Sequence, residues 1–116
     1  MTVYGLANCD TTKAAIKFLK KNHQDFDFYD FKTLGVSQEQ LEKWLSQISI
    51  DRLLNKQSTT WRSLSVGEQQ TASTTSGAVA LLVKHTSLIK RPLVAWNDGT
   101  VTVGFKETAF EDRIAS

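Results

Sequence analysis

The chain has 116 residues, a formal net charge of +2 and a hydrophobic fraction of 41%, which together predict one globular domain spanning residues 1–116. This mild charge argues against a nucleic-acid-binding tail, and no stretch approaches the roughly 20 apolar residues of a membrane span. The single cysteine excludes an internal disulfide, and the N-terminus lacks the pattern of a signal peptide. We therefore expect a cytoplasmic monomer that binds neither nucleic acid nor membranes.

The first thirty residues predict a strand, a helix and a second strand. Residues 2–5 are a short strand-like run, and from Thr11 to Lys21 apolar residues recur at helical spacing. Residues 25–31 alternate phenylalanine with acidic residues, as a half-buried strand does. Asn8 or Asp10 is expected to cap the helix. This order predicts a parallel βαβ unit.

The middle of the chain predicts helices. Ser37 and Gln40 have the spacing of a capping box, and an apolar stripe that includes Trp44 follows them. The remaining expectations are a short helix around Leu53, a loop at 55–64, a capped turn at Ser65–Glu68, a short helix or a mobile connector at 71–77 and an apolar helix at 78–85.

The C-terminal part predicts a β-hairpin and a helix. Asn97-Asp98-Gly99 is a strong turn signal between two apolar runs, the first of which opens at Pro92. A last helix is expected at about 107–114. A parallel βαβ half followed by helices and an antiparallel hairpin half predicts a thioredoxin-like α/β fold, with a four-stranded mixed sheet and a helical insertion.

Cys9 lies at the predicted junction between the first strand and the first helix. Unpaired N–H groups and the positive end of the helix dipole favour the thiolate there, and Lys13 adds positive charge one turn on. Thr12 occupies the place of the second cysteine of a C-x-x-C motif, and its hydroxyl could donate a hydrogen bond to the thiolate. The alternative is that Cys9 packs as a small apolar residue. The residues alone leave both open.

The sequence lacks the motifs of several other kinds of site. A phosphatase loop of the C-x5-R type needs arginine at the position of Ala15, and one cysteine with two distant histidines is not a usual zinc set. His23 is expected to face solvent, and His85 to cap the C-terminus of the apolar helix. The chain has neither a G-x-G-x-x-G motif nor a P-loop. We expect no metal and no tightly bound cofactor.

Three segments carry a family resemblance: YGLANCDTTKAA, LLNKQSTTWRSL and SLIKRPLVAW followed by VGFKETAF. In this order, over nearly the whole chain, they resemble the arsenate reductase-like (ArsC/Spx) family, and most closely its YffB-like branch. The resemblance implies a thioredoxin fold with a helical insertion. It also implies that Cys9 is the nucleophile.

The resemblance implies that arsenate reduction is inefficient. The family's arsenate reductases surround the cysteine with three arginines, and here these positions hold Arg91, Asn55 and Lys106. Neither asparagine nor lysine reproduces the planar fork with which arginine grips an oxyanion. Arg91 is followed by Pro92, and the resemblance implies that the bond between them is cis.

The resemblance implies a glutathione-dependent thiol reductase, because a lone thiol needs an external resolving thiol. Glutathione is then the expected co-substrate, and a protein thiol or disulfide is a further candidate partner. The catalytic residues implied are Cys9 and Arg91. The substrate-binding residues implied are Asn8, Thr11, Thr12, Lys13, Asn55, Lys56, Pro92 and Lys106. The alternative is a non-catalytic redox-sensing or protein-binding module resembling the Spx-type transcription regulators.

Overall fold

The computed structural model describes residues 1–115, whose contacts divide into two compact units. The first, here called the sheet unit, combines Met1–Asp30 with the segment that begins at Arg91. The second, here called the helical unit, is Phe31–Lys90. The assignment of residues 1–116 to a single domain stays a prediction.

The secondary structure alternates short strands with short helices. In chain order the elements are β1 (Thr2–Gly5), α1 (Asp10–Lys21), β2 (Asp27–Asp30), α2 (Phe31–Leu34), α3 (Gln38–Leu45), α4 (Ile50–Leu53), α5 (Thr59–Ser63), α6 (Val66–Thr71), α7 (Thr75–Lys84), a 3-10 turn (Thr86–Leu88), β3 (Leu93–Ala95), β4 (Val101–Val103) and α8 (Glu107–Ala115). No helix within residues 1–115 is long and apolar enough to cross a bilayer.

The sheet unit contains one four-stranded mixed sheet in the order β2-β1-β3-β4. The strands β1 and β2 are parallel, whereas β3 runs antiparallel to both β1 and β4. Tyr4 of β1 pairs with Leu93 of β3, so the end of β1 lies beside the start of β3. The predicted thioredoxin-like α/β fold is confirmed, and its topology brings two loops together at this end of the sheet.

The core of the sheet unit forms where α1 and α8 pack with the strands. The apolar stripe of α1 buries Ala15, Phe18 and Leu19, while the lysines of the helix remain exposed. Phe18 and Phe110 of α8 meet edge to face, with ring centroids 6.0 Å apart. Burial of this apolar surface is the main favourable term in folding, and it fixes α1 against the sheet.

The predicted hairpin turn is confirmed. Gly99 has a φ of 88°, a left-handed conformation that glycine adopts without the steric cost of a Cβ. Asp98 Oδ1 accepts a hydrogen bond from the Thr100 backbone N–H at 2.9 Å. Across the hairpin, Trp96 Nε1 donates to Thr102 Oγ1 at 2.9 Å.

Four helices of the helical unit have an N-cap residue with a hydroxyl side chain. In each of them the N-cap side chain accepts a hydrogen bond from the backbone N–H three residues on, which satisfies one unpaired donor of the helix. The four caps are Ser37 on α3, Ser58 on α5, Ser65 on α6 and Thr74 on α7. The capping box of Ser37 and Gln40 and the capped turn at Ser65–Glu68 are therefore confirmed.

One expectation for the helical unit is wrong. The predicted loop at 55–64 contains α5, because Ser58 caps it and Gln69 Nε2 donates to the Trp61 carbonyl at 2.8 Å. At 71–77, where a short helix or a mobile connector is expected, the structure has the end of α6 and the first residues of α7. Gly77 permits this early start, since a Cβ there would lie 1.8 Å from the Thr71 carbonyl oxygen.

Candidate active site

Cys9 is the N-cap residue of α1. Its backbone N–H donates to the Leu6 carbonyl at 3.1 Å, which closes the turn after β1, and its carbonyl accepts from the Lys13 N–H at 2.9 Å. Its φ of −88° and ψ of 125° are those of a typical N-cap. The expectation that Asn8 or Asp10 caps this helix is wrong, because the Cys9 carbonyl already takes the first helical hydrogen bond. Asp10 is the first residue inside the helix.

The Cys9 thiol is partly exposed and makes no side-chain capping hydrogen bond of standard geometry. Burial raises its pKa, but the hydroxyl and N–H of Thr12 and the guanidinium of Arg91 act more strongly in the opposite direction. The net effect lowers the pKa of Cys9 from 9.0 to about 7. Lys13, which was expected to contribute, is not among the groups that set this pKa. At neutral pH a large fraction of Cys9 is therefore thiolate, the reactive form.

Arg91 and Pro92 lead into β3, beside the end of β1. The Arg91–Pro92 peptide bond is cis, as predicted. Pro92 is buried, and its carbonyl accepts a hydrogen bond from the Gly104 N–H at 2.9 Å. The Arg91 guanidinium lowers the pKa of Cys9 both by a hydrogen bond and by its charge. The structure thus brings together the two residues expected to be catalytic.

Lys106 is at the same end of the sheet. Val103 pairs with Leu93, and Gly104 continues that pairing to Pro92, so the chain leaves β4 beside the Arg91–Pro92 segment. The Lys106 side chain is exposed, and its carbonyl accepts the first hydrogen bond of α8 from Phe110 at 3.0 Å. Lys106 offers a positive charge at this edge but takes no part in setting the pKa of Cys9.

The other predicted residues of the sheet unit flank Cys9 along the chain. Asn8 and Thr11 are exposed on either side of it, in the turn and in the first turn of α1. Lys13 is also exposed. Thr12 differs from them, since its side chain is completely buried. Thr12 therefore acts on the site from inside the fold, while the exposed three are available to a bound molecule.

Asn55 and Lys56 belong to the helical unit and are engaged within it. The Asn55 side-chain oxygen accepts from the Gln57 N–H at 3.0 Å, which stabilises the turn before α5. The Lys56 ammonium lies 5.5 Å from the centroid of the Trp61 ring, within the range of a cation–π contact. Their assignment as substrate-binding residues stays a prediction.

The two histidines have the surroundings that the sequence predicts. His23 is exposed, and His85 is the C-cap of α7, with its Nε2 3.5 Å from Glu68 Oε2. Within residues 1–115, no group of three or more His, Cys, Asp or Glu side chains has the arrangement of a metal site.

Sequence reasoning missed Gly5, the last residue of β1. It is buried, and a Cβ at this position would lie 2.6 Å from Thr12 Oγ1. The available signal was a glycine inside a strand, which often marks a place where another group approaches closely.

Together these groups form a partly exposed thiolate at a helix N-terminus beside a guanidinium. A thiolate in this setting attacks sulfur or another soft electrophile, and the guanidinium stabilises negative charge on the group it meets. This is a site of the thiol-reductase type, on a thioredoxin-like fold.

Comparison with known proteins agrees with that class. The profile of the ArsC family matches residues 4–112. An uncharacterized protein of Haemophilus influenzae is 35% identical over 115 residues, covering 99% of each chain. Two solved structures are similar: a YffB protein, with 32% identity, a TM-score of 0.87 and 96% of each chain covered, and an arsenate reductase (ArsC) related protein of Brucella melitensis, with 33% identity, a TM-score of 0.75 and coverages of 99% and 94%.

The chain belongs to the ArsC family, in its YffB-like part. The family has an arsenate reductase-like fold and is of the thiol-reductase type. The predicted membership is therefore confirmed.

Proposed function

We propose that this protein is a glutathione-dependent thiol–disulfide oxidoreductase whose nucleophile is Cys9. The observation that carries the proposal is the placement of Cys9 at the start of α1 beside Thr12 and Arg91, with its pKa lowered to about 7. An attacking thiol is most effective when its pKa is close to the ambient pH. A cysteine that only filled space would need neither partial exposure nor a guanidinium beside it.

The proposed reaction has two exchange steps. In the first, the Cys9 thiolate attacks a disulfide formed between glutathione and a substrate thiol, forms a mixed disulfide with glutathione and releases the substrate as a thiolate, which takes a proton from water. In the second, the thiolate of another glutathione attacks the glutathione sulfur of that mixed disulfide, which forms oxidised glutathione and restores the Cys9 thiolate. In the net reaction one reduced glutathione is consumed: the substrate thiol is released, and this glutathione joins the one already in the substrate disulfide as oxidised glutathione. The chain has no second cysteine, so the resolving thiol comes from outside.

The charges around Cys9 support glutathione as the thiol. Glutathione has two carboxylates, and Arg91 can bind a carboxylate through two parallel hydrogen bonds. Lys13 and Lys106 are exposed cations available to the second carboxylate, while Asn8 and Thr11 offer polar groups in the adjoining turn. The Arg91–Pro92 segment lies at the same end of the sheet, beside the end of β1.

A test is to incubate the protein with oxidised glutathione and measure its intact mass. We expect one glutathione per chain on the wild-type protein, removed by reduced glutathione, and none on Cys9→Ser. Turnover is then measured with a small mixed disulfide of glutathione as substrate. Failure of the wild-type protein to form the adduct, or to turn over this substrate faster than Cys9→Ser, would contradict the proposal.

We also propose that the protein reduces arsenate poorly. Asn55 is neutral and its side-chain oxygen is held in a local turn, so it supplies no positive charge to an oxyanion. Losing one preorganised oxyanion donor typically costs about 100-fold or more in rate. We expect no arsenate-dependent oxidation of glutathione above background in the presence of glutaredoxin, and robust turnover would contradict this.

The environment of Cys9 favours chemistry over a non-catalytic redox-sensing or protein-binding module. A purely structural cysteine is expected to be buried among apolar side chains and inert. Cys9 is partly exposed, and its pKa is lowered by Arg91 and Thr12.

A further inference from the structure

The side-chain hydroxyl of Thr12 is buried and has no hydrogen-bond partner of standard geometry among the described residues. The residue is 0% exposed, and its Oγ1 makes no hydrogen bond of standard geometry within residues 1–115. Leaving a buried polar atom without a partner destabilises the folded state, so such an atom needs a specific reason. The Thr12 side chain sits in the first turn of α1, whose N-cap is Cys9. The Cys9 sulfur is the group that this hydroxyl influences.

The hydroxyl cannot reach a substrate directly. Its oxygen is shielded from solvent, whereas Cys9 is partly exposed. Any role of Thr12 in the reaction must therefore pass through the sulfur. A hydroxyl donates its hydrogen bond more strongly to a thiolate than to a thiol or a disulfide, because the acceptor is charged.

Gly5 makes room for this side chain. A Cβ at Gly5 would lie 2.6 Å from Thr12 Oγ1 and 2.8 Å from Thr12 Cγ2, both closer than real Cβ contacts. The backbone does not need glycine here, since Gly5 is not among the residues with positive φ in the described chain. Glycine inside a strand destabilises the fold relative to alanine, because it loses more backbone freedom on folding. The contact with Thr12 explains why a glycine ends β1.

We propose that Gly5 is a positioning residue that acts through Thr12: its missing side chain leaves room for the Thr12 side chain, whose hydroxyl acts on the Cys9 sulfur. The hydroxyl then stabilises the thiolate before it attacks and again when it leaves the mixed disulfide. This deepens the proposed function, because it assumes that Cys9 is the nucleophile. Asp10 and Lys13 are the charged residues next to Cys9 along α1, and Arg91 is the charged group that acts on its pKa; the proposal changes none of them.

The experiment measures the pKa of Cys9 from the pH dependence of its alkylation by iodoacetamide, in the absence of glutathione. Cys9 is the only cysteine, so the rate reports on one group. If the protein does not use glutathione, this measurement still gives the pKa of Cys9. The experiment therefore tests the role of Gly5 and Thr12 separately from the proposed function. Urea unfolding of each variant confirms that it is folded at the pH values used.

The variants at position 12 test the hydroxyl. We expect Thr12→Val, which keeps the shape, to raise the pKa of Cys9, and Thr12→Ser, which keeps the hydroxyl, to restore most of the wild-type value. A rise of about one unit lowers the thiolate fraction, and hence the alkylation rate at pH 6, about tenfold. Equal pKa values for wild type and Thr12→Val would overturn the proposal.

The variants at position 5 test whether Gly5 acts through Thr12. We expect Gly5→Ala to raise the pKa of Cys9 in the same direction, and to add nothing once Thr12→Ala has removed the hydroxyl. The matched control is Gly67→Ala, where a Cβ would meet its nearest neighbour at 3.9 Å, an ordinary contact. A Gly5→Ala protein with the wild-type pKa, or an equal further rise in the Thr12→Ala background, would overturn the proposal.

Discussion

The helix that carries Cys9 begins differently from the capped helices of the helical unit. Ser37, Ser58, Ser65 and Thr74 each place a hydroxyl on a backbone N–H at the start of a helix. At the start of α1 the N-cap is a cysteine, which makes no capping hydrogen bond of standard geometry. The N-cap residue therefore stabilises the helix in the helical unit, whereas in the sheet unit it leaves N–H groups facing a sulfur.

This difference explains why the thiolate forms where it does. A hydroxyl cap stabilises a helix by about 1 kcal/mol and uses up the donor it binds. The Cys9 sulfur is a weaker acceptor as a thiol, but as a thiolate it gains from the same N–H groups and from Arg91. The N-terminus of α1 thus favours ionisation of its N-cap residue, Cys9. The hydroxyl N-caps of the helical unit do not ionise, and they only stabilise their helices.

The largest expected effect comes from replacing the sulfur. Cys9→Ser converts the start of α1 into a hydroxyl cap like those of the helical unit. We expect complete loss of glutathione adduct formation and of turnover, together with an unchanged or higher free energy of unfolding, because serine is a preferred N-cap residue. Intact mass spectrometry and urea unfolding measure both. A clear loss of stability would show that Cys9 also supports the fold.

The next largest effect is expected from Arg91→Ala. Removing the guanidinium raises the pKa of Cys9 and removes a carboxylate partner, so glutathionylation at pH 7 should slow several-fold. For scale, a free thiol with a pKa of about 8.5 is only about 3% ionised at pH 7. The control is Lys17→Ala, an exposed charge further along α1. Equal, small effects of both substitutions would mean that no specific anion site exists beside Cys9.

A smaller effect, on stability alone, is expected from Ser37→Ala in the helical unit. This change removes the capping hydrogen bond to the Gln40 N–H at 3.1 Å and should lower the free energy of unfolding by about 1 kcal/mol. The pKa of Cys9 should not change. Ser49→Ala is the matched control, because Ser49 is the N-cap of α4 and makes no side-chain capping bond. Equal losses of stability from the two variants would contradict the role assigned to the caps.

The smallest effect concerns ion pairs at the surface of each unit. In the sheet unit, Arg113 Nη1 lies 2.9 Å from Asp98 Oδ2, and its guanidinium stacks 5.4 Å from the centroid of the Trp96 ring. In the helical unit, Lys84 lies 3.6 Å from Glu68 and is more exposed. Exposed pairs contribute little. We expect Arg113→Ala to destabilise less than Ser37→Ala but more than Lys84→Ala in thermal unfolding, and the reverse order would contradict this ranking.

The sequence predicts elements well where a local signal specifies them. The turn at Asp98-Gly99 and the capping box at Ser37 are local patterns of a few residues, and both are confirmed. The helix α5 was not predicted, although Ser58 caps it locally, because its other stabilising contacts come from distant parts of the sequence. Thr60 Oγ1 lies 2.7 Å from Ser87 Oγ, across 27 positions of sequence. Periodicity over a short polar segment does not contain this information.

For the candidate site, too, the sequence predicts the features that depend on local patterns but not those that depend on contacts between distant residues. The placement of Cys9 at a strand-to-helix junction follows from the pattern of the first twenty residues. Its proximity to Arg91 depends on the pairing of β1 with β3, and only the family resemblance indicated it beforehand. The contact of Gly5 with Thr12 depends on how closely α1 packs against β1, which the sequence does not specify. The cap residue was mistaken because cysteine is not a usual N-cap.

The pH dependence of Cys9 alkylation in the wild-type protein tests the central claim most directly. Alkylation follows the thiolate fraction, so a pKa lowered to about 7 predicts a rate that rises through neutral pH and levels off by about pH 8.5. Urea-unfolded protein provides the reference, and its rate should still be rising at that pH. A folded protein whose alkylation rate follows the unfolded curve, or lies to its alkaline side, would contradict the account of Cys9 as an activated nucleophile.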